Sequence, residues 1–292
     1  MATRTGSFPI GFRRGWSDWQ KDLGGLTKWA KESAFEVIDL GVASREDLDL
    51  AKAAGLRLGT ADLKGGGLMS VDAGRRREAV DAAVAYVKET AALGAKVFFT
   101  CVIPENASGK RSENYAIAVE SFGPVARAAA DAGAVVAIEG WPGGAPHYPS
   151  LCCTPETVRS LIKDVGGKGI GVNYDPSHLI RLGVDHVRFL REFVGNVAHV
   201  HAKDTEVDTE AIYEYGLYQD GVFGQSHGFG SYVWRYTIPG HGQARWTEIF
   251  GILKDSGYQG CVCIELEDEN FNGTEAGEKN ALMTSLEFLR NA

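Results

Sequence analysis

The stretch Ile170-Gly171-Val172-Asn173-Tyr174-Asp175 is a short apolar run that ends on an acid. Three other stretches repeat the pattern: Val135-Val136-Ala137-Ile138-Glu139, Val197-Ala198-His199-Val200-His201 and Cys261-Val262-Cys263-Ile264-Glu265. Continuous apolar runs of this length read as strands buried on both faces, as in a parallel sheet. Glu139, Asp175, His201 and Glu265 then stand at the carboxyl ends of four strands. In a parallel α/β barrel those ends open on one mouth, where catalytic groups gather. Three carboxylates and an imidazole converging there make a site for a divalent metal ion.

Working outward from these runs, strand and helix signals alternate eight times. Strands are expected at 8–12, 35–40, 56–62, 96–102, 135–139, 170–175, 197–201 and 261–265. Ser44-Arg45-Glu46-Asp47 reads as a helix cap followed by first-turn acids, and Gly55 ends that helix. Ala79, Ala82, Ala83, Tyr86, Val87 and Thr90 recur at helical spacing within 72–93. Thr154-Pro155 starts another helix, with proline at its first position. The remaining helices are expected at 113–132, 185–193, 246–256 and 274–289. Such repeats with short connections imply a single (β/α)8 TIM barrel over residues 1–292, with a doubly wound open sheet as the alternative.

A chain of 292 residues with 44% hydrophobic content has the length and core of one such barrel. A net charge of -8 disfavours a nucleic-acid partner, and the one basic run, Arg75-Arg76-Arg77, reads as a solvated helix face. Cys101, Cys261 and Cys263 lie in apolar runs and read as core residues. The Cys152-Cys153 pair lacks the second pair that a zinc site would need. An odd cysteine count and a start without a signal segment point to a reducing cytoplasm. No stretch approaches the roughly 18 apolar residues of a membrane span.

One connection is long. Residues 205–244 separate the seventh strand from the next helix, and a loop of that length in a compact domain is usually functional. It carries eight aromatic residues: Tyr213, Tyr215, Tyr218, Phe223, Phe229, Tyr232, Trp234 and Tyr236. It leaves the barrel at the catalytic mouth, so it is expected to act as a lid or substrate wall, as an oligomer contact, or as both.

The order Glu139, Asp175-Pro176-Ser177-His178, His201-Ala202-Lys203-Asp204 and Glu265 resembles the xylose-isomerase-like barrels. That superfamily includes sugar-phosphate isomerases and epimerases, tagatose 3-epimerase, hydroxypyruvate isomerase, inosose dehydratase and endonuclease IV. The resemblance covers residues 135–269 in motif and the whole chain in repeat architecture. It implies one divalent ion, Mn²⁺ ahead of Mg²⁺, Co²⁺ or Zn²⁺, held by Glu139, Asp175, His201 and Glu265. It makes Glu139 and Glu265 the acid/base pair on opposite faces of the substrate. It places His178 behind the ligands or against the substrate.

That division suits the chemistry. An ion bound to adjacent carbonyl and hydroxyl oxygens stabilises an enediolate, while one glutamate removes the carbon-bound proton. Return of a proton to the other face gives epimerisation, and return to the neighbouring carbon gives isomerisation. Loss of a β-substituent gives a dehydratase or lyase.

The chain departs from the tagatose-type epimerases, which carry an arginine shortly after the histidine. Here the stretch reads Thr205-Glu206-Val207, and Arg235 is the substitute in view. Lys203 and Asp204 in the His201 motif, His241, His147 and Trp16 complete the expected substrate contacts. Trp19 and Lys64 are weaker candidates, and His186 and His199 are expected to face packing. Gly65-Gly66-Gly67 lacks the Lys-Ser/Thr ending of a phosphate loop.

The leading expectation is an enzyme, a metal-dependent sugar isomerase or epimerase. A keto-sugar dehydratase or 3-keto-glycoside (C-glycoside) lyase on the same metal site is the alternative, because the aromatic insertion suits a substrate larger than a free hexose. A non-catalytic metal-binding subunit and a nuclease are further readings, the last disfavoured by the acidic charge. The expected partners are a small carbohydrate or keto-glycoside and a second copy of the chain, or a second subunit in the lyase case. Neither nucleic acid nor membrane is among them.

Overall fold

The computed structural model describes residues 2–144 and 148–292. Eight parallel strands close into a barrel: β1 (Ile10–Arg13), β2 (Val37–Leu40), β3 (Arg57–Asp62), β4 (Val97–Cys101), β5 (Val135–Glu139), β6 (Ile170–Tyr174), β7 (Val197–Ala202) and β10 (Val262–Ile264). Each lies within two residues of its expected bounds. β1 pairs with both β2 and β10, which closes the sheet and rules out the doubly wound alternative. The remaining strands, β8 (Asp204–Val207) and β9 (Trp234–Thr237), form a separate antiparallel hairpin.

The helices start where their caps predict. Ser44 and Asp47 form a reciprocal capping box, Asp72 caps the helix Ala73–Ala92, and Pro155 opens the helix Pro155–Asp164. The Arg75-Arg76-Arg77 run is not wholly solvated. Arg76 is buried, donating to the Ser70 carbonyl at 2.8 Å and pairing with Glu120 at 2.9 Å. Among the described residues no helix is long and apolar enough to cross a membrane.

Two features of the lumen position the site. Side chains alternate along a strand, so His199, His201 and Lys203 form a column rising toward the mouth, and Cys261, Cys263 and Glu265 form the next. Cys263 pairs with His201 in register, so the two columns stand side by side. Gly59 leaves room across the lumen, since a Cβ there would collide with the Asp39 carboxylate. The insertion is anchored at both ends by β8 and β9, while its helix, Thr209–Tyr215, buries none of its residues.

Candidate active site

At the mouth, β5 ends on Glu139, and Glu265 follows β10 directly. Glu139 Oε2 accepts from Asn173 Nδ2 at 2.5 Å and lies 2.7 Å from His201 Nδ1, while its Oε1 is 3.3 Å from His178 Nε2. Asp175 Oδ1 caps the helix Pro176–Arg181 through the Ser177 N–H at 2.8 Å. Its Oδ2 is buried and accepts no hydrogen bond from the described residues, with His178 Nε2 and Lys203 Nζ each 3.4 Å away. Ligand atoms of Glu139, Asp175, His178 and Glu265 all lie within 4.8 Å of one another. His201 Nδ1 adjoins the group, 3.6 Å from Glu265 Oε2.

An ion with oxygen and nitrogen ligands at about 2.0–2.2 Å holds them within roughly 4.4 Å of one another. The cluster is close to that size. An orphaned, buried carboxylate oxygen beside two further carboxylates is the donor set a hard divalent cation takes. The structure therefore brings three of the four residues expected as ligands, Glu139, Asp175 and Glu265, into one group with His178, and sets His201 beside it. These buried acids and imidazoles make a site that can hold a divalent metal ion.

Two cations share the cluster. Lys203 is buried, with Nζ 2.6 Å from Glu265 Oε2, 2.8 Å from Glu267 Oε2 and 4.5 Å from the centre of the Tyr236 ring. Arg13 at the end of β1 grips Asp62 with both Nη atoms, at 2.7 and 2.9 Å, and sets its Nε 3.3 Å from Glu265 Oε1. These charges decide the protonation states. Burial and the Glu265 charge push the Glu139 carboxyl up, but His201 and His178 outweigh them and hold it at about 2. Burial likewise opposes ionisation of Glu265, yet Lys203, His201 and Arg13 keep it well below the usual carboxylate range. Asp175 moves the other way, raised chiefly by burial. Burial lowers Lys203, but Glu265, Glu267 and Asp175 raise it further, so it stays an ammonium.

Other expected contacts separate. Trp16 is exposed and lines a cavity of about 110 Å³ with Arg13, Glu265 and Glu267. Trp19 instead packs edge-on against Trp29. Asp204 does not face the mouth: its carboxylate is saturated by the N–H groups of Thr205, Gly240 and Ala244 and by Trp246 Nε1, so it anchors the hairpin. Arg235 is taken up by Glu206 at 2.8 Å and Asp268 at 3.5 Å, and Arg13 is the guanidinium at Glu265. His241 is exposed in a turn, its ring 6.4 Å from that of Phe271, and Lys64 is exposed. His147 lies outside the described residues. His186 is buried and accepts from the Arg245 N–H at 3.2 Å. His199 is buried in the lumen against Asp39 at 2.8 Å.

Sequence reasoning passed over Arg13, Asp39, Asp62, Asn173 and Glu267. Arg13 and Asp62 end β1 and β3, so the strand-end rule that found Glu139 would also have found them. Asn173 and Glu267 sit two residues from a singled-out acid and share its face.

Glu278 holds the segment that carries Trp16. Its carboxylate accepts from Ser17 Oγ at 2.5 Å, Trp19 Nε1 at 2.6 Å and Gln20 Nε2 at 3.0 Å. Burial raises this carboxyl, but those donors outweigh it and lower it below the usual value. A carboxylate depressed in the folded state stabilises above its unfolded value, about 4.3, and loses that contribution as pH falls through the folded value. The Trp19 indole N–H resonance is therefore expected to shift in acid below about pH 4. It should not do so in Glu278→Gln. An unmoved wild-type resonance down to about pH 3 would show that the carboxylate does not hold the segment.

Residues 26–292 match the family described as xylose isomerase-like TIM barrel. The chain is 34% identical over 142 residues to the uncharacterized protein YfiH of Bacillus subtilis strain 168, covering 48% of this chain and 42% of that one. It is 26% identical over 129 residues to inosose dehydratase of Geobacillus thermodenitrificans strain NG80-2, covering 42% and 39%. These matches span less than half the length of either relative. Among solved structures, a D-psicose 3-epimerase in the presence of D-fructose aligns with a TM-score of 0.70 at 20% identity, over 97% of this chain and 98% of that one. The 3-keto-D-glucoside 4-epimerase YcjR from E. coli aligns at 0.67 with 18% identity, over 97% and 99%. At such identities the structural likeness shows the fold. The family match, by contrast, runs through every residue of the mouth cluster except Arg13, and the chain belongs to the xylose isomerase-like TIM barrel family.

Proposed function

We propose that the protein is an enzyme that isomerises or epimerises a sugar with the help of a divalent metal ion, Mn²⁺ first among the candidates. The observation that carries this reading is the pair Glu139 and Glu265, held ionised on β5 and after β10 within one cluster with Asp175 and His178, and with His201 beside both glutamates. A bound cation would polarise the substrate carbonyl and stabilise the charge that grows on its oxygen. Glu139, steadied by Asn173 and His201, takes the proton from the carbon next to the carbonyl. Glu265, on another side of the barrel and open to the mouth cavity, is ionised at rest, so it takes up a proton from water and then delivers it to the opposite face. Lys203 offsets the charge of Asp175, Glu265 and Glu267, so the substrate meets an ordered cluster rather than three repelling acids. The relatives named as epimerases of keto sugars support this assignment.

Dehydration of a keto sugar is the second reading. It is favoured by the likeness to inosose dehydratase. One experiment addresses both: proton exchange in deuterated water with ketoses, keto-glycosides and inososes, before and after chelation. Exchange next to the carbonyl is expected on at least one substrate, only with metal present, and loss of water would select the dehydratase. Absence of exchange on every substrate with Mn²⁺ added would end both readings.

The mouth has room for more than one ring. A second cavity, of about 450 Å³, is lined by Trp141, Arg181, Trp234 and Tyr236 and shares Phe229 and Glu267 with the first. Arg181 stacks on Trp234 with its guanidinium carbon 4.5 Å from the ring centre. Val207 and Trp234 face each other across the hairpin, so residues 208–233 can be replaced by Asn-Gly in a tight turn. That removes Phe229 but keeps Tyr236. KM is expected to rise about 10-fold, the equivalent of roughly 1.4 kcal/mol of lost contact. Unchanged kinetics with an altered oligomeric state would make the insertion an interface instead.

A further inference from the structure

The lumen holds a second cluster, below the mouth, that the chemistry above does not use. His199 lies one inward position beneath His201 on β7, and Cys261 and Cys263 point inward beside it from the β10 segment. Their ligand atoms lie within 4.8 Å of one another, and all three residues are buried.

Three ligand atoms so spaced can share one metal ion. His199 Nδ1 is 3.6 Å from Cys261 Sγ. Zinc bonds of about 2.3 Å to sulfur and 2.0–2.1 Å to nitrogen, at a tetrahedral angle, separate the two ligand atoms by about 3.5 Å. The far nitrogen of the same ring, Nε2, is 2.8 Å from Asp39 Oδ2, and Asp39 Oδ1 is fixed by the Thr60 N–H at 2.8 Å. A carboxylate on the far nitrogen is how proteins orient a ligating histidine and leave its near nitrogen free to bind. The space for Asp39 is left by Gly59, where a Cβ would collide with the carboxylate.

We propose that His199, Cys261 and Cys263 bind a thiophilic metal ion, zinc, inside the barrel and separate from the ion expected at the mouth. The ion displaces the protons of the two thiols, which leave to solvent, and two thiolates then balance its double charge, as a buried site requires. Asp39 links the two levels, since its Oδ2 also lies 3.4 Å from His201 Nε2. An ion on His199 would therefore hold the carboxylate that stands behind His201.

Cobalt reports thiolate ligation directly by absorption. The full chain is produced in cobalt-supplemented minimal medium and purified under reducing conditions. A near-ultraviolet thiolate-to-cobalt charge-transfer band is expected in the wild type and in Glu139→Gln/Asp175→Asn, which dismantles the mouth ligands. It is expected to vanish in Cys261→Ser/Cys263→Ser and to survive in Cys152→Ser/Cys153→Ser. Folded wild-type protein without the band would overturn the proposal, whatever the variants do. So would a band that tracks the mouth ligands or the Cys152-Cys153 pair.

Discussion

Glu139→Gln and Glu265→Gln are each expected to lower turnover by about 10²- to 10⁴-fold while metal affinity falls far less. Glutamine keeps a ligand oxygen but cannot accept a carbon-bound proton. The two variants should differ in stability. Glu265 meets Lys203 at 2.6 Å and Arg13 at 3.3 Å, so its neutralisation leaves two buried cations short of a partner. Glu139 faces His201 at 2.7 Å, an imidazole that can instead give up a proton. The measurement is the exchange rate in deuterated water at saturating substrate, with metal binding followed by calorimetry. Turnover within about 3-fold of wild type in both variants would remove the pair from proton transfer.

Lys203→Met is expected to cause the largest loss of stability of any single change at the mouth. Methionine fills the volume of the lysine stem but leaves Asp175, Glu265 and Glu267 facing one another without the ammonium. Removing one partner from a buried ionic cluster costs about 3–5 kcal/mol. For a chain of 292 residues that is a fall in Tm of roughly 5–8 °C. The same reasoning sets the response to metal. A divalent cation supplies the missing positive charge, so Mn²⁺ should raise the Tm of Lys203→Met more than that of the wild type. Calorimetry on chelated protein, with and without Mn²⁺, reads both effects. A fall under about 2 °C, or an equal response to Mn²⁺, would show that the ammonium is not the counter-charge of these acids.

What the sequence determined by itself is which residues end the strands and which face they share. Apolar runs closed by Glu139, Asp175, His201 and Glu265 mark four strand ends, and one-turn caps such as Ser44-Asp47 mark the helix starts. Both signals are local, carried by side-chain alternation and by backbone groups a few residues apart. What only the tertiary structure decided is which side chains from different strands meet at one level of the lumen. Lys203 and Asp204 are chain neighbours, yet one reaches the acids after β6 and β10, and the other caps the hairpin. Cys261 and Cys263 read as core filler along their own strand and become a cluster only when β7 sets His199 beside them. Asp39 finds His199 and His201 across the barrel. Strand periodicity assigns a side chain to the inside, but its height and its partners depend on barrel closure and on the stagger between strands, which no single stretch of sequence encodes.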